Sequence, residues 1–260
     1  MCAVTVVSEA VVRRSPSFVM PLPRSLVAKG RGFYIHGAPK MSVAHLAINK
    51  QPLAGFPNLC ETMNDCLPTV YLARHGETAW SISGQHTGLT DLPLTARGER
   101  NARRLGERLK GLNFAKVFTS PLQRAARTCE LAGFAKVAQV EEDLLEWNYG
   151  EYEGRRSAEI RAERPDWNLF RDGCPGGESV EQVGERANRV LCQIRAFQED
   201  VLLFSSGHFL RVLAARWLGL EPAAGRFFLL STASLSALSY EHTLSEPAIW
   251  LWDDSRHVVE

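Results

Sequence analysis

Apolar positions along the chain recur first with the period of a strand, then with that of a helix, and the alternation predicts an α/β fold. Val70-Tyr71-Leu72-Ala73 is a short apolar run closed by Arg74-His75-Gly76, and it reads as a strand. Residues 76–94, rich in Gly, Thr and Ser, read as a loop. A helix is predicted from about 95 to 111, where Ala102, Leu105, Leu109 and Leu112 share one face. Residues 115–119 form the next strand. Ser120-Pro121-Leu122-Gln123 then carries a capping box, with serine as cap and glutamine three residues later, so Arg124 falls in the first helical turn. A strand around 136–140 leads to residues 141–150, an acidic and aromatic stretch without period, read as a loop over a site rather than a core element.

Further on, Ile160 and its neighbours suggest a short helix closed by Pro165, and residues 167–177 read as a loop. Ser179-Val180-Glu181-Gln182 is a second capping box. It opens a long helix whose buried stripe includes Val183, Ala187, Val190 and Ile194. Residues 201–205 are continuously apolar, as suits a central strand, and deliver Ser206-Gly207-His208 to another helix at 209–218. The tail from about 229 to 252 reads as two or three strands with a turn near Ser245-Glu246-Pro247.

Composition narrows the classes. With 260 residues, 45% of them hydrophobic and 23% charged, the chain suits a soluble protein with one large core. A net charge of +1 gives no field for nucleic acid, and no apolar run is long enough to cross a bilayer. Six scattered cysteines without a C-x-x-C pair suggest free thiols in a reducing cytosol, hence a cytoplasmic protein. Charge also marks a boundary. Residues 1–62 hold seven basic residues against two acidic ones and are broken repeatedly by proline, so they read as a poorly ordered basic extension. They lack the hydrophobic core and cleavage site of a secretory signal. An Arg/Ser-rich leader suits an organelle transit peptide, but a start of translation at Met63 is the favoured expectation, with one domain over 63–260.

The candidate chemistry gathers at strand ends. Arg74 and His75 close one strand, Arg124 lies in a first helical turn, and His208 sits at a strand end and helix amino terminus, where backbone N–H groups favour an anion. In a doubly wound sheet these positions converge on one edge. Two arginines and two histidines facing one pocket describe a site for a dianionic phosphate. No Asp/Glu/His cluster has metal-ligand spacing, so no metal or other cofactor is expected and the protein itself must relieve the charge. A neutral imidazole is a competent nucleophile near pH 7, and Glu146 is placed to protonate a leaving oxygen.

Arg74-His75-Gly76-Glu77-Thr78, Ser120-Pro121-Leu122-Gln123-Arg124-Ala125, Leu145-Glu146 with Tyr149-Gly150, and Gly207-His208 resemble, in order, the motifs of the histidine phosphatase superfamily, the phosphoglycerate mutase-like clan. The likeness covers roughly residues 68–252. Residues 83–95 and 167–179 are similar to those of fungal sedoheptulose-1,7-bisphosphatases and bacterial broad-specificity acid phosphatases. The resemblance implies a three-layer α/β/α sandwich with a mostly parallel sheet and no metal. It implies His75 as the phosphorylated nucleophile, with Arg74, Arg124 and His208 around the phosphoryl group. Glu146 would be the proton donor and then the base for water. Thr87, Gly88 and Tyr149 fall where members contact substrate, and Ser81, counted with them, stands where mutases carry an asparagine.

Fewer basic groups and shorter loops than a mutase needs favour water as the acceptor, and hence a phosphatase of small phosphorylated metabolites. The alternatives are a cofactor-dependent phosphoglycerate mutase, an inactive phospho-ligand binding module, and a phosphatase of phosphoproteins. A homodimer is a further expectation, since dimers are common in the clan. Trp147, Trp167 and Trp217 read as packing anchors, Asp91 as an organiser of its loop, Cys174 as a possible pocket residue, and His86, His242 and His257 as surface residues.

Overall fold

The computed structural model describes residues 67–259; the expected basic extension 1–62 and the start at Met63 lie outside them. In chain order the described residues form β1 (Val70–Arg74), α1 (Ala79–Ser83), α2 (Ala96–Arg108), β2 (Lys116–Thr119), α3 (Gln123–Leu131), β3 (Ala138–Val140), α4 (Ser157–Glu163), α5 (Leu169–Asp172), α6 (Val180–Ile194), β4 (Val201–Ser205), α7 (Gly207–Trp217), β5 (Leu235–Tyr240) and β6 (Pro247–Asp254). Short 3-10 turns cover Glu142–Leu144, Gly150–Tyr152 and Pro222–Phe227.

The strands make one sheet in the order β3-β2-β4-β1-β5-β6, parallel from β3 to β1 and antiparallel at the two pairs beyond. Side chains alternate across a strand, so each strand feeds two layers. Val70, Leu72, Val201 and Leu203 join a core with α6 and α7; Tyr71, Ala73, Leu202 and Phe204 join a second core with α2 and α3. Both faces are therefore covered, which gives the three layers and explains why β4 is buried along its whole length. Each fully buried leucine, such as Leu72 or Leu203, contributes about 2 kcal/mol by area.

Topology also places the site. From β1 the chain crosses to β2 on the far side of β4, whereas from β4 it passes through α7 to β5 on the far side of β1. The connections diverge where β1 and β4 end side by side, with Arg74 opposite Ser205. Such a switch point opens a crevice at the carboxyl ends of the strands.

Several expectations are corrected. The box at Ser120-Pro121-Leu122-Gln123 does not form: α3 starts at Gln123 behind Leu122, which has no capping side chain. Asp91 takes over instead, its carboxylate accepting from Gln123 N at 2.8 Å and its carbonyl from Gln123 Nε2 at 2.6 Å, so the glutamine is already engaged. The loop 76–94 contains α1, with its own Thr78–Ser81 capping box, and 167–177 contains the single turn α5. Residues 141–150 are no overlying loop, since Leu144, Trp147 and Tyr149 are buried in the α6–α7 core. Lastly, of the three histidines expected at the surface, His86 is buried, His257 is half-buried with Nε2 on Ala233 O at 2.7 Å, and His242 alone is exposed. The second box, Ser179 with Gln182, closes as expected.

Candidate active site

His75 leaves β1 held at both ends of its peptide, its N–H on Ser205 O at 2.9 Å and its carbonyl receiving Ala233 N at 3.0 Å. The imidazole Nδ1 lies 2.7 Å from Gly76 O, an acceptor only, so Nδ1 carries the proton and Nε2 the free lone pair. Burial, then Arg74 and Arg124, push the His75 pKa well below its ordinary value, with the Gly76 carbonyl opposing. The ring is therefore neutral and nucleophilic at pH 7. Gly76 is required by packing: a Cβ there would stand 2.7 Å from Gly98 O.

Two arginines flank this ring. Arg74 donates through Nη1 to Leu230 O, and its guanidinium lies against Gly207, where a Cβ would come within 3.1 Å of Cζ. Arg124, fully buried at the start of α3, donates to the carbonyls of Thr90 at 3.0 Å, Thr87 at 3.2 Å and Gly88 at 2.8 Å. Burial pushes both guanidinium pKa values down while Glu146 opposes, and both groups stay cationic at neutral pH. The Nε atoms of Arg74 and Arg124 are buried without a hydrogen-bond partner among the described residues, as is Ser206 Oγ at the cap of α7. Unpaired buried donors beside the ends of β1, β2 and β4 form a cradle for an anion, since leaving them unpaired is costly.

His208 lies in the first turn of α7 with Nδ1 2.6 Å from the Tyr149 hydroxyl. Burial, then Glu146, raise the Tyr149 pKa well above its ordinary value, so the phenol keeps its proton, and with no other acceptor for it among the described residues the hydroxyl donates to Nδ1. That bond fixes the proton of a neutral His208 on Nε2, making it an N–H donor; burial, then Arg211, keep its pKa low. Tyr149→Phe is expected to lower kcat by about 10- to 100-fold with little change in KM, by releasing the tautomer. Steady-state kinetics on the purified variant check this.

Glu146 spans the end of this arrangement. Its carboxylate accepts three backbone N–H groups, Trp147 at 2.8 Å, Phe209 at 2.8 Å and His208 at 2.9 Å, the last two from the amino terminus of α7. Two of these donors are N–H groups that the start of α7 leaves without an intrahelical partner, so the bonds fix the position of the side chain at the head of that helix. Of the other anticipated residues, Thr87 and Gly88 present carbonyls to Arg124, and Gly88 packs so closely that a Cβ would fall 2.5 Å from Trp147 O. Ser81 is engaged in capping α1, donating to Thr78 O at 2.9 Å and accepting Thr78 N at 2.9 Å. Cys174 is buried and its thiol is pushed up to about 12 by burial, so it is inert.

His86 is the residue that sequence reasoning missed. Its ring packs 4.7 Å from Tyr149, 5.7 Å from Trp167 and 6.0 Å from His208, and Nε2 lies 3.1 Å from Ser157 Oγ. Burial lowers its pKa to about 4, against the opposing charge of Glu153. A histidine kept neutral in the fold stabilises it fully above the unfolded pKa of 6.5 and loses that contribution as pH falls from 6.5 to about 4. The loss amounts to about 3 kcal/mol at the acid end. His86→Phe keeps a ring and removes the titration, so urea melts of the variant should depend less steeply on pH across this window.

Among the described residues no group of three or more His, Cys, Asp or Glu is arranged to hold a metal ion, and no helix is long and apolar enough to cross a membrane. A neutral imidazole, two buried guanidinium groups, a second imidazole and a carboxylate gathered at a sheet switch point suit phosphoryl-transfer chemistry. The chain belongs to the histidine phosphatase superfamily (branch 1), whose family model matches residues 70–253. It is 42% identical over 182 residues to an acid phosphatase of Mycobacterium tuberculosis, covering 68% of this chain and 89% of that one. It is 40% identical over 191 residues to the sedoheptulose 1,7-bisphosphatase of Saccharomyces cerevisiae, covering 61% of this chain and 70% of that one. A solved open-reading-frame product of Mycobacterium tuberculosis superposes with a TM-score of 0.68 at 39% identity, over 72% of this chain and 97% of that one. The expected family, the α/β fold and the enzyme class, a phosphatase, are thus borne out.

Proposed function

We propose that this phosphatase hydrolyses phosphomonoesters of small metabolites, sugar phosphates foremost, with each site residue in a defined role. Nε2 of His75 attacks phosphorus in line; the N–P bond forms as the ester P–O bond breaks, and the leaving oxygen takes the bonding pair and a proton from Glu146. Water then attacks the phosphohistidine and gives a proton to Glu146, the N–P bond breaks, and phosphate leaves. The second step leaves Glu146 protonated for the next cycle. Arg74, Arg124 and His208 Nε2–H hold the phosphoryl oxygens throughout and stabilise the charge in flight.

The observation that carries this reading is the pair of buried Nε atoms of Arg74 and Arg124, without a partner among the described residues, beside a histidine whose Nδ1 is already bonded. Water rather than a second phosphate ester is favoured as acceptor by the surroundings. Arg155 and Arg156, which follow the Tyr149 segment, are tied to Glu163 and Glu159, and Ser157 is tied to His86. We also place the enzyme in the cytoplasm, consistent with free thiols at Cys129, Cys174 and Cys192.

Phosphate release across a panel of sugar phosphates and phosphoglycerates, with EDTA present, tests the proposal. Rapid release from one or more sugar phosphates is the expected result. Interconversion of 2- and 3-phosphoglycerate faster than any phosphate release would overturn it in favour of a mutase.

A further inference from the structure

The segment that carries Glu146 runs irregularly from one 3-10 turn to the next, yet Leu144 at its start, Trp147 and Tyr149 are at most 1% exposed. A buried backbone without ladder partners needs donors for its carbonyls from elsewhere. Arg186, on α6, supplies donors for three of them. Its Nη1 donates to Asp143 O at 2.9 Å and Leu145 O at 2.8 Å, and its Nη2 to Glu146 O at 3.2 Å. Ser205 Oγ donates to the intervening Leu144 O at 2.6 Å. The other edge of the guanidinium forks onto Glu178, Nε to Oε1 at 2.7 Å and Nη2 to Oε2 at 2.8 Å.

Glu178 completes the clamp from the other side. Its carboxylate accepts Asn148 N at 2.8 Å, its carbonyl accepts the Trp147 indole N–H at 2.9 Å, and its own N–H donates to Asn148 O at 2.9 Å. The Arg186 plane lies 4.9 Å over the Phe209 ring, and Phe209 N–H is one of the donors to the Glu146 carboxylate. One ion pair therefore grips the peptides on both sides of Glu146 and the helical turn that receives its carboxylate. Only a guanidinium has the forked donors to meet three carbonyls and a carboxylate at once; an ammonium does not.

We propose that Arg186 and Glu178 are positioning residues, setting Glu146 where it delivers a proton to the leaving oxygen. The proposal rests on Glu146 being that proton donor. If it holds, loss of the clamp must hurt substrates in proportion to their need for a proton. An alkoxide leaving group needs one; p-nitrophenolate does not. The comparison is made on kcat/KM, which reports the steps up to phosphoenzyme formation and so isolates the donor role of Glu146 from its later role as base.

The test uses the full chain with Glu146→Gln, Arg186→Lys, Glu178→Gln and the double variant Arg186→Lys/Glu146→Gln, on a sugar phosphate and on p-nitrophenyl phosphate. Arg186→Lys should lower kcat/KM for the sugar phosphate by about 100-fold and for p-nitrophenyl phosphate by less than about threefold. In the Glu146→Gln background it should add nothing, as expected of a residue acting through another. Equal losses on both substrates, or full additivity in the double variant, would overturn the proposal. Glu178→Gln, nearly isosteric, supplies the same comparison should Arg186→Lys not fold. A Glu146→Gln variant that shows no leaving-group dependence would instead remove the donor role itself. Leaving-group dependence in Glu146→Gln but in neither clamp variant would remove only the positioning role.

Discussion

Alanine at position 75 is expected to abolish phosphate release, with a loss of at least about 10⁴-fold in kcat. The change removes the free Nε2, and no neighbour replaces it. His208, the other imidazole at the sheet edge, has Nδ1 bonded to Tyr149 and presents an N–H rather than a lone pair at Nε2. His86 packs on Tyr149, and its Nε2 is engaged with Ser157 Oγ. Unfolding will not account for the loss. Truncating one buried side chain costs about 1–3 kcal/mol, within the stability of an ordinary domain. Removing a buried histidine also deletes a group that resists protonation, so the variant should keep more of its stability than wild type as pH falls below 6.5. Phosphate release, read beside circular dichroism melts, separates the two effects. Activity retained within tenfold would exclude His75 as the nucleophile.

Arg124→Ala is expected to have the next largest effect, through two separable routes. Loss of one charged donor at the phosphoryl group should lower kcat by about 10²- to 10³-fold. Loss of the guanidinium also strands the carbonyls of Thr87, Gly88 and Thr90, which should cost about 3 kcal/mol of stability and loosen the loop pressed against Tyr149. Arg124→Lys keeps the charge but cannot serve three carbonyls, so it should recover part of the kcat while remaining less stable than wild type. The two routes are of similar size, about 3–4 kcal/mol for the rate against about 3 kcal/mol for stability, so separate kinetic and melting measurements tell them apart. A variant that melts earlier but turns over at the wild-type rate would reduce Arg124 to a structural brace.

What could be read from the sequence was local. The strand endings at Arg74-His75 and Ser205-Ser206, the buried face of α2 and the Ser179–Gln182 cap depend on neighbours within a few residues, and they fold as read, except that α2 ends at Arg108 and leaves Leu112 beyond it, half-buried. What could not be read depends on residues far apart in the chain. The cap of α3 comes from Asp91, and that contact overrides the local signal at Ser120. His86 looked solitary because its partners, Tyr149, Trp167 and Ser157, are more than sixty residues away. Arg186 is a polar position on an amphipathic helix until the Glu146 segment folds under it. Residues 141–150 carry no period because no regular element forms there; their burial is set by tertiary packing, not by pattern. The α1 and α5 helices are too short for periodicity to register.

The most direct measurement is a rapid alkaline quench of the enzyme turning over a sugar phosphate labelled in its phosphoryl group, followed by peptide mapping of the retained label. Phosphohistidine chemistry at this site requires one alkali-stable, acid-labile phosphoryl group on the peptide containing His75, formed and lost at rates compatible with kcat. Label on His208, label on a carboxylate, or turnover with no covalent label at any time would contradict it.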